Sequence, residues 1–202
     1  MSSNNITRII GPNGEIITIL PISIKVDRRT GRFFARDENS GREYSIPELE
    51  RLADTGDPSA QCAMGDYYNT LEHHGDFHKA FSWYKKAAAQ NHAGAMWNMG
   101  NFYAVGAEVG ANVVEKDFDK AMALFEESAK YGFLDAILNL GQLFLMNDIY
   151  DKAIYWLEKA DKLGHEEANV LLEGAKLLKK IADEDSQMKK TFGDISKEYW
   201  DN

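Results

Sequence analysis

The segment AMWNMGNFY at residues 95–103 recurs twice more in this 202-residue chain, as AQCAMGDYY at residues 60–68 and AILNLGQLF at residues 136–144. Each copy places small or apolar residues at offsets 0, 4, 5 and 8, which lie on one face of a helix with 3.6 residues per turn. The repeated spacing therefore predicts three copies of one amphipathic helix.

A second block follows each copy, as AFSWYKKAAAQN at residues 80–91, AMALFEESAKYG at 121–132 and AIYWLEKADKLG at 153–164. Its apolar and small residues lie at offsets 0, 3, 4 and 7, again one helix face. Each block ends in Gly or Asn, the residues that most readily adopt the left-handed conformation that closes a helix. Because spacing is fixed within blocks and varies between them, the pattern predicts helical hairpins with loops of variable length.

A glycine lies in the middle of each first helix, at Gly65, Gly100 and Gly141. Glycine inside a helix costs about 1 kcal/mol relative to alanine. Three copies at one position indicate a compensating gain, and we expect the partner helix to approach closely at each glycine.

These blocks resemble the Sel-one-like repeat, a relative of the tetratricopeptide repeat. The resemblance rests on Asn98-Met99-Gly100-x2-Tyr103, on Asn139-Leu140-Gly141-x2-Phe144 and on Lys79-Ala80 to Asn91-His92, and it covers about residues 46–175. The sequence departs from the pattern at Ala63, which replaces Asn, at Ser128, which replaces Ala, and at Glu173, which replaces Gly in a fourth, partial copy. The resemblance implies a right-handed superhelix of α-hairpins that binds proteins, generally without catalysis.

Residues 1–45 have a different pattern. ISIKV at residues 22–26 alternates with period two, and turn residues such as GPNG at 11–14 separate the apolar runs, which predicts four or five strands. The Ser45 to Glu48 segment then has the residues of a capping box, which predicts a helix start. Since the first repeat of a solenoid exposes an apolar face, we expect the strands to cover it.

The predicted fold class is thus mainly α: an α-α hairpin solenoid over residues 46–182, preceded by a small N-terminal antiparallel β-meander over residues 1–45. Residues 183–202 are predicted to form a C-terminal helix or tail. A terminal helix from Glu166 to Ile181 should bury one apolar side, formed by Leu171, Leu172, Ala175, Leu178 and Ile181.

The net charge of −9 is unevenly distributed. Residues 1–56 contain eight basic and eight acidic side chains, including all seven arginines, so residues 57–202 carry the whole excess of negative charge. An acidic surface repels phosphate backbones, so we expect a protein partner, for which a basic surface is the natural match, and no nucleic acid.

The remaining composition favours a cytoplasmic protein without a membrane partner. The apolar run at residues 16–22 is far shorter than the roughly 20 residues that span a bilayer. The single cysteine, Cys62, cannot form an internal disulfide, and residues 1–5 lack the features of a signal peptide.

The resemblance to tetratricopeptide geometry also predicts a binding surface. There, the first helix of each hairpin lines a concave face with residues three before, one after and four after the glycine. These positions are Cys62, Trp97 and Leu138; Asp66, Asn101 and Gln142; and Asn69, Ala104 and Leu145. The middle row is polar in all three repeats, which indicates either a ligand surface or a solvated stripe. The predicted partner-binding residues are Asp66, Asn69, Trp97, Asn101, Leu138 and Gln142, with Trp97 as the main anchor.

Two classes of function remain open. The favoured one is a non-enzymatic protein-interaction scaffold without cofactor or catalytic residues; the resemblance implies an adaptor, a chaperone or a bacterial immunity protein that neutralises a secreted toxin. The alternative is a metal-binding or hydrolytic enzyme that uses His73, His74 and His78 in the loop after the first repeat helix. A closed zinc site needs a fourth ligand at a defined spacing. Solvated loop histidines are therefore favoured, and no metal site is predicted.

Overall fold

The computed structural model describes residues 8–10, 16–18, 22–70, 76–109 and 112–200, and it places the side chains of residues 22–70, 76–106 and 114–191. The strands are β1 (Arg8–Ile10), β2 (Ile16–Thr18), β3 (Ile22–Val26), β4 (Phe33–Asp37), β5 (Glu43–Ser45), β6 (Ala107–Val109) and β7 (Asn112–Val114). The helices are α1 (Ile46–Asp54), α2 (Pro58–Asn69), α3 (Phe77–Ala88), α4 (Ala93–Val105), α5 (Phe118–Lys130), α6 (Leu134–Met146), α7 (Tyr150–Lys162) and α8 (Ala168–Trp200).

The chain divides into two compact units, residues 1–136 and residues 137–202. In the first unit, α2 packs on α3 and α4 packs on α5 as helical hairpins. In the second unit, α7 packs on α8. The predicted fold class, a mainly α chain of helical hairpins preceded by antiparallel strands, is confirmed.

The N-terminal strands form two sheets rather than one meander. The strands β1 and β2 pair as a hairpin, and β3, β4 and β5 form a separate three-stranded antiparallel sheet. The three-stranded sheet packs on α1 and α2, where Ala35 of β4 joins a core with Leu49, Ala53 and Met64. The expectation that strands cover the first helices is therefore confirmed for the three-stranded sheet.

The helix boundaries follow local chemistry. The aspartates Asp57, Asp76 and Asp117 precede α2, α3 and α5, and each accepts a hydrogen bond from a backbone N–H of the first turn. The predicted capping box is present, since the Glu48 side chain accepts from the Ser45 backbone N–H at 2.8 Å. The predicted left-handed residues after the repeat helices are Gly56, Asn91, Gly132 and Gly164, with φ of 100°, 62°, 74° and 83°.

The mid-helix glycines make room for side chains of the following helix. A Cβ placed at Gly100 would lie 2.5 Å from Cε1 of Phe125, and one at Gly65 would lie 2.5 Å from Cδ1 of Tyr84. At Gly141, the same atom would lie 2.6 Å from Cγ of Leu157. These distances are shorter than any ordinary carbon contact, so the predicted close approach is confirmed in all three hairpins.

Two segments differ from their predicted form. The connection between α4 and α5, one of the predicted loops of variable length, contains the antiparallel strands β6 and β7. The helix predicted from Glu166 to Ile181 is part of a longer one, since α8 runs for 33 residues from Ala168 to Trp200. Residues 183–200 are thus helical, which is one of the two forms predicted for the C-terminal segment. No proline interrupts this stretch, and ion pairs of Lys180 with Glu184 and of Lys189 with Asp185 support the helix at i, i+4 spacing.

The burial predicted along α8 is correct only in part. Leu172 and Ala175 are buried, whereas Leu178 is 44% exposed and Ile181 is 53% exposed. Within the described residues, no helix combines the length and the apolar character needed to cross a membrane.

Candidate partner-binding site

Asp66 lies one residue after Gly65 on α2 and connects three helices. Its Oδ1 accepts a hydrogen bond from the Tyr84 hydroxyl at 2.8 Å and another from Asn98 Nδ2 at 3.3 Å. Because Tyr84 belongs to α3 and Asn98 to α4, the carboxylate joins the first hairpin to the second. The polar character of Asp66 thus has a structural cause that sequence spacing alone did not reveal.

Burial dominates the electrostatics around Asp66. It raises the pKa of the carboxyl to about 6, although the hydrogen bonds from Tyr84 and Asn98 act in the opposite direction. Burial also raises the pKa of the Tyr84 hydroxyl and that of the Cys62 thiol. Cys62 is therefore a buried residue of α2 and not an activated nucleophile.

Trp97 lies on α4, one turn before Asn101. Its ring is half-buried and packs against Phe133, with ring centroids 5.5 Å apart and planes at 44°. The indole N–H is buried and has no hydrogen-bond partner among the residues that the structure describes. Because an unpaired buried donor costs about 1–3 kcal/mol, this group requires an explanation beyond packing.

Asn69 and Asn101 complete the predicted residues of the first unit. Asn69 ends α2 and is exposed, and Asn101 is half-buried on α4. The repeat spacing predicts that they share a surface with Asp66 and Trp97, and we call this predicted surface the α2–α4 face. This face combines one aromatic ring with two amides and one carboxylate.

The predicted residues of the second unit differ in accessibility. Leu138 is 4% exposed, so its side chain belongs to the core and does not line an open surface as predicted. Cys62, at the equivalent position of α2, is likewise buried at 7% exposure. Gln142 is half-buried on α6. Cys62, Trp97 and Leu138 each lie three residues before a mid-helix glycine, and among them Trp97 is thus the one with an accessible side chain.

Several buried polar residues stabilise the hairpins and were not singled out by the sequence. Gln61 Nε2 donates to the Ala53 carbonyl at 3.1 Å, and Gln90 Nε2 donates to Gln61 Oε1 at 2.9 Å. Ser128 Oγ donates to the Ala93 carbonyl at 2.8 Å. The departure from the repeat pattern at Ser128 was the available signal, because a hydroxyl in place of a buried methyl needs such an acceptor.

The histidines occupy different environments. His92 is buried before α4, where Nδ1 accepts from the Ala95 backbone N–H at 3.2 Å and burial lowers the pKa to about 4. His78 is exposed on α3, and His73 and His74 lie outside the described residues. In the part of the chain that the structure describes, no three His, Cys, Asp or Glu side chains are close enough to hold a metal ion.

Comparison with known proteins identifies the repeats. The family model of the Sel1 repeat matches residues 58–92, 93–132 and 134–165. These matches coincide with the hairpins α2–α3, α4–α5 and α6–α7, and together they cover more than half of the chain. No curated protein matches the chain.

Two solved structures illustrate the similarity. One is a protective antigen present in uropathogenic Escherichia coli strains, which has an SLR fold; it is 26% identical over 64% of this chain, with a TM-score of 0.56. The other is a Sel1 repeat protein from Oxalobacter formigenes, 28% identical over 61% of this chain, with a TM-score of 0.50. The matched region spans 28% and 50% of the lengths of those two proteins.

Helical hairpins with a glycine facing a large side chain, repeated three times, define a helical-repeat protein. More specifically, the chain belongs to the Sel1 repeat family. Proteins of this family are generally non-catalytic scaffolds for protein interactions.

Proposed function

We propose that this chain binds a basic protein partner through the α2–α4 face, with Trp97 as the anchor. The observation that carries the proposal is the state of Trp97: a half-buried aromatic ring whose N–H has no acceptor among the described residues. Tryptophan is among the residues most often found at the energetic centres of protein interfaces. A carbonyl or carboxylate of a partner would supply the missing acceptor after a small movement of the ring.

The neighbouring groups support a polypeptide ligand. Asn101 lies one helical turn from Trp97, and Asn69 is exposed at the end of α2. Amide side chains both donate and accept hydrogen bonds, which suits the N–H and C=O groups of a polypeptide backbone.

The charge distribution supports a basic partner. Residues 57–202 carry the entire net charge of −9. An acidic surface accelerates association with a basic protein at low salt more than it increases the final affinity. A secreted bacterial toxin that this chain neutralises is one partner of that chemistry, and the client of an adaptor is another.

The test is capture of the partner from cells of the source organism with the wild-type chain and with Trp97→Ala, followed by titration of the captured protein. We expect Trp97→Ala to weaken binding at least about 10-fold and Asn101→Ala to weaken it less. Trp156→Ala, which removes a half-buried tryptophan of α7, is the matched control and should bind like wild type.

Circular dichroism must show unchanged helicity in all three variants. Equal affinity of Trp97→Ala, Asn101→Ala and wild type would contradict the proposed site. Mass spectrometry of the captured protein then decides between a toxin and an adaptor client.

A further inference from the structure

The longest helix exposes a row of large apolar side chains. On α8, Val170 is 76% exposed, Leu177 59%, Leu178 44%, Ile181 53% and Met188 56%. We call Val170, Leu177, Ile181 and Met188 the α8 stripe, and Leu178 lies beside it. An ordinary soluble surface contains scattered apolar residues, whereas several large apolar residues along one side of a helix indicate an interaction surface.

The α8 stripe lies on the side of the helix that faces away from α7. The residues that α8 buries are Ala168, Leu172 and Ala175, and α7 is the helix that packs on it within the second unit. At about 100° per residue, Val170, Leu177, Ile181 and Met188 fall within roughly 40° of one another and opposite the buried residues. The helix thus has two apolar sides, of which α7 covers one.

The charges beside the stripe are already compensated within the chain. Lys176 pairs with Glu173 at 3.0 Å, and Lys180 pairs with Glu184 at 3.8 Å. Lys179 pairs with Asp151 of α7. An occupant of the stripe therefore needs an apolar surface of matching shape and no particular net charge.

The spacing of the stripe is the same in both directions along the helix. Val170, Leu177, Ile181 and Met188 are separated by seven, four and seven residues. In an antiparallel pair of identical helices, this order places Val170 opposite Met188 of the second copy and Leu177 opposite Ile181 of the second copy. Such mutual contacts are the condition for an interface with two-fold symmetry. In a helical coiled coil these four residues would take a and d positions, and Gly174 and Glu184 would take the two that lie between them.

The exposed apolar area approaches what a dimer needs. At their exposed fractions, Val170, Leu177, Leu178, Ile181 and Met188 each leave on the order of 100 Å² exposed, so pairing two copies removes at most about 1,000 Å² of this apolar surface from water. Stable specific interfaces bury about 1,200–2,000 Å² in total, so flanking residues must supply the remainder. We propose that the α8 stripe pairs with the α8 stripe of a second copy of this chain as an antiparallel helix pair.

Light scattering coupled to size-exclusion chromatography of the full chain, over a concentration series, tests this proposal. We expect a dimer for wild type and a dissociation constant raised more than 10-fold for Leu177→Asp. Leu163→Asp is the matched control, because Leu163 is 55% exposed directly after α7 and lies outside the stripe. A monomeric wild type at the highest concentration, or equal weakening by both variants, would overturn the proposal.

Disulfide cross-linking tests the direction of the pair. Cys62 is buried and does not compete, so Val170→Cys and Met188→Cys each introduce one accessible thiol. On oxidation, a mixture of the two variants should form a covalent dimer, whereas each variant alone should not, since positions 170 and 188 are about 27 Å apart along a helix. Cross-linking of either variant alone would contradict the antiparallel arrangement.

Discussion

The two units of this chain differ in how far their large apolar side chains are exposed. In the first unit, a three-stranded sheet covers α1 and α2, and the large apolar residues exposed there are Val26 and Val105 among the described side chains. Among the described side chains, the second unit contains most of the exposed large apolar residues, including the whole α8 stripe. The first unit thus buries most of its described large apolar side chains, whereas the second presents several of them to solvent.

This difference shows what a repeat sequence does and does not determine. Each Sel1 repeat defines its own hairpin through a glycine and the facing side chain, as at Gly100 and Phe125. The repeat does not define what covers the first and last helices. A sheet provides that cover for α1 and α2, and the α8 stripe remains available for a second copy.

Removal of each terminal segment should therefore have unequal effects. Deleting residues 1–44 uncovers Leu49 and Met64. We expect aggregation or a loss of about 3–6 kcal/mol in the free energy of unfolding, since exposing each large apolar side chain costs about 1.5–3 kcal/mol. Deleting residues 189–202, which lie beyond the α8 stripe, should cost less than about 1 kcal/mol, because side chains 189–191 are exposed. Chemical denaturation at one protein concentration measures both, and equal losses would refute the contrast between the two ends.

The same contrast applies to single glycines. Gly100→Ala forces the Phe125 ring to move and should cost about 1–3 kcal/mol by overpacking. On α8, the Cβ added by Gly174→Ala would have no atom within 4 Å, so this substitution should stabilise the helix by up to about 1 kcal/mol. Thermal melting compares the two variants. Destabilisation by both would mean that helix geometry, and not the contact with Phe125, sets the requirement for glycine.

Asp66 gives a smaller effect that depends on pH. Its pKa of about 6 in the folded chain lies above the ordinary value of 3.8, so the folded state holds the proton more tightly. Its contribution to stability is therefore full below about pH 4 and is lost as the pH rises through 6. We expect Asp66→Asn to have a higher free energy of unfolding than wild type at pH 7. The gain should be on the order of 1 kcal/mol, because the loss of one hydrogen bond offsets part of it, and it should disappear at pH 4.

Urea denaturation at pH 4, 5, 6 and 7 measures this difference. Asp161→Asn, which changes an exposed carboxylate of α7 far from the first turn of that helix, is the control, and its difference from wild type should vary less with pH than that of Asp66→Asn. The variants must be compared at each pH, because His92 acts in the opposite direction: its folded pKa of about 4 is depressed, so its contribution is lost as the pH falls from 6.5 to 4. If the difference in the free energy of unfolding between Asp66→Asn and wild type did not change with pH, Asp66 would be excluded as the titrating group.

Much of the fold could be predicted from the sequence because the repeat encodes local chemistry. The spacing of Ala95, Gly100 and Tyr103 identified a helix face, and glycine or asparagine marked each helix end. The strands β6 and β7 escaped prediction because each has three residues, too few to show a periodic pattern.

The candidate site was predictable only by position. Repeat spacing located Asp66, Trp97 and Leu138, but their environments depend on contacts between helices. The hydrogen bond from Tyr84 to Asp66 joins residues 18 apart, and burial of Leu138 depends on packing that spacing does not specify. The exposed α8 stripe was missed for the same reason, since an apolar helix side was assumed to be buried.

The two proposed interaction surfaces are separate: the α2–α4 face for a partner protein and the α8 stripe for a second copy. Sedimentation velocity of Trp97→Ala and Leu177→Asp, each alone and mixed with the captured partner, distinguishes them. We predict that Trp97→Ala remains a dimer and loses the partner, whereas Leu177→Asp becomes a monomer and retains the partner. Loss of both properties in either variant would contradict the separation of the two surfaces.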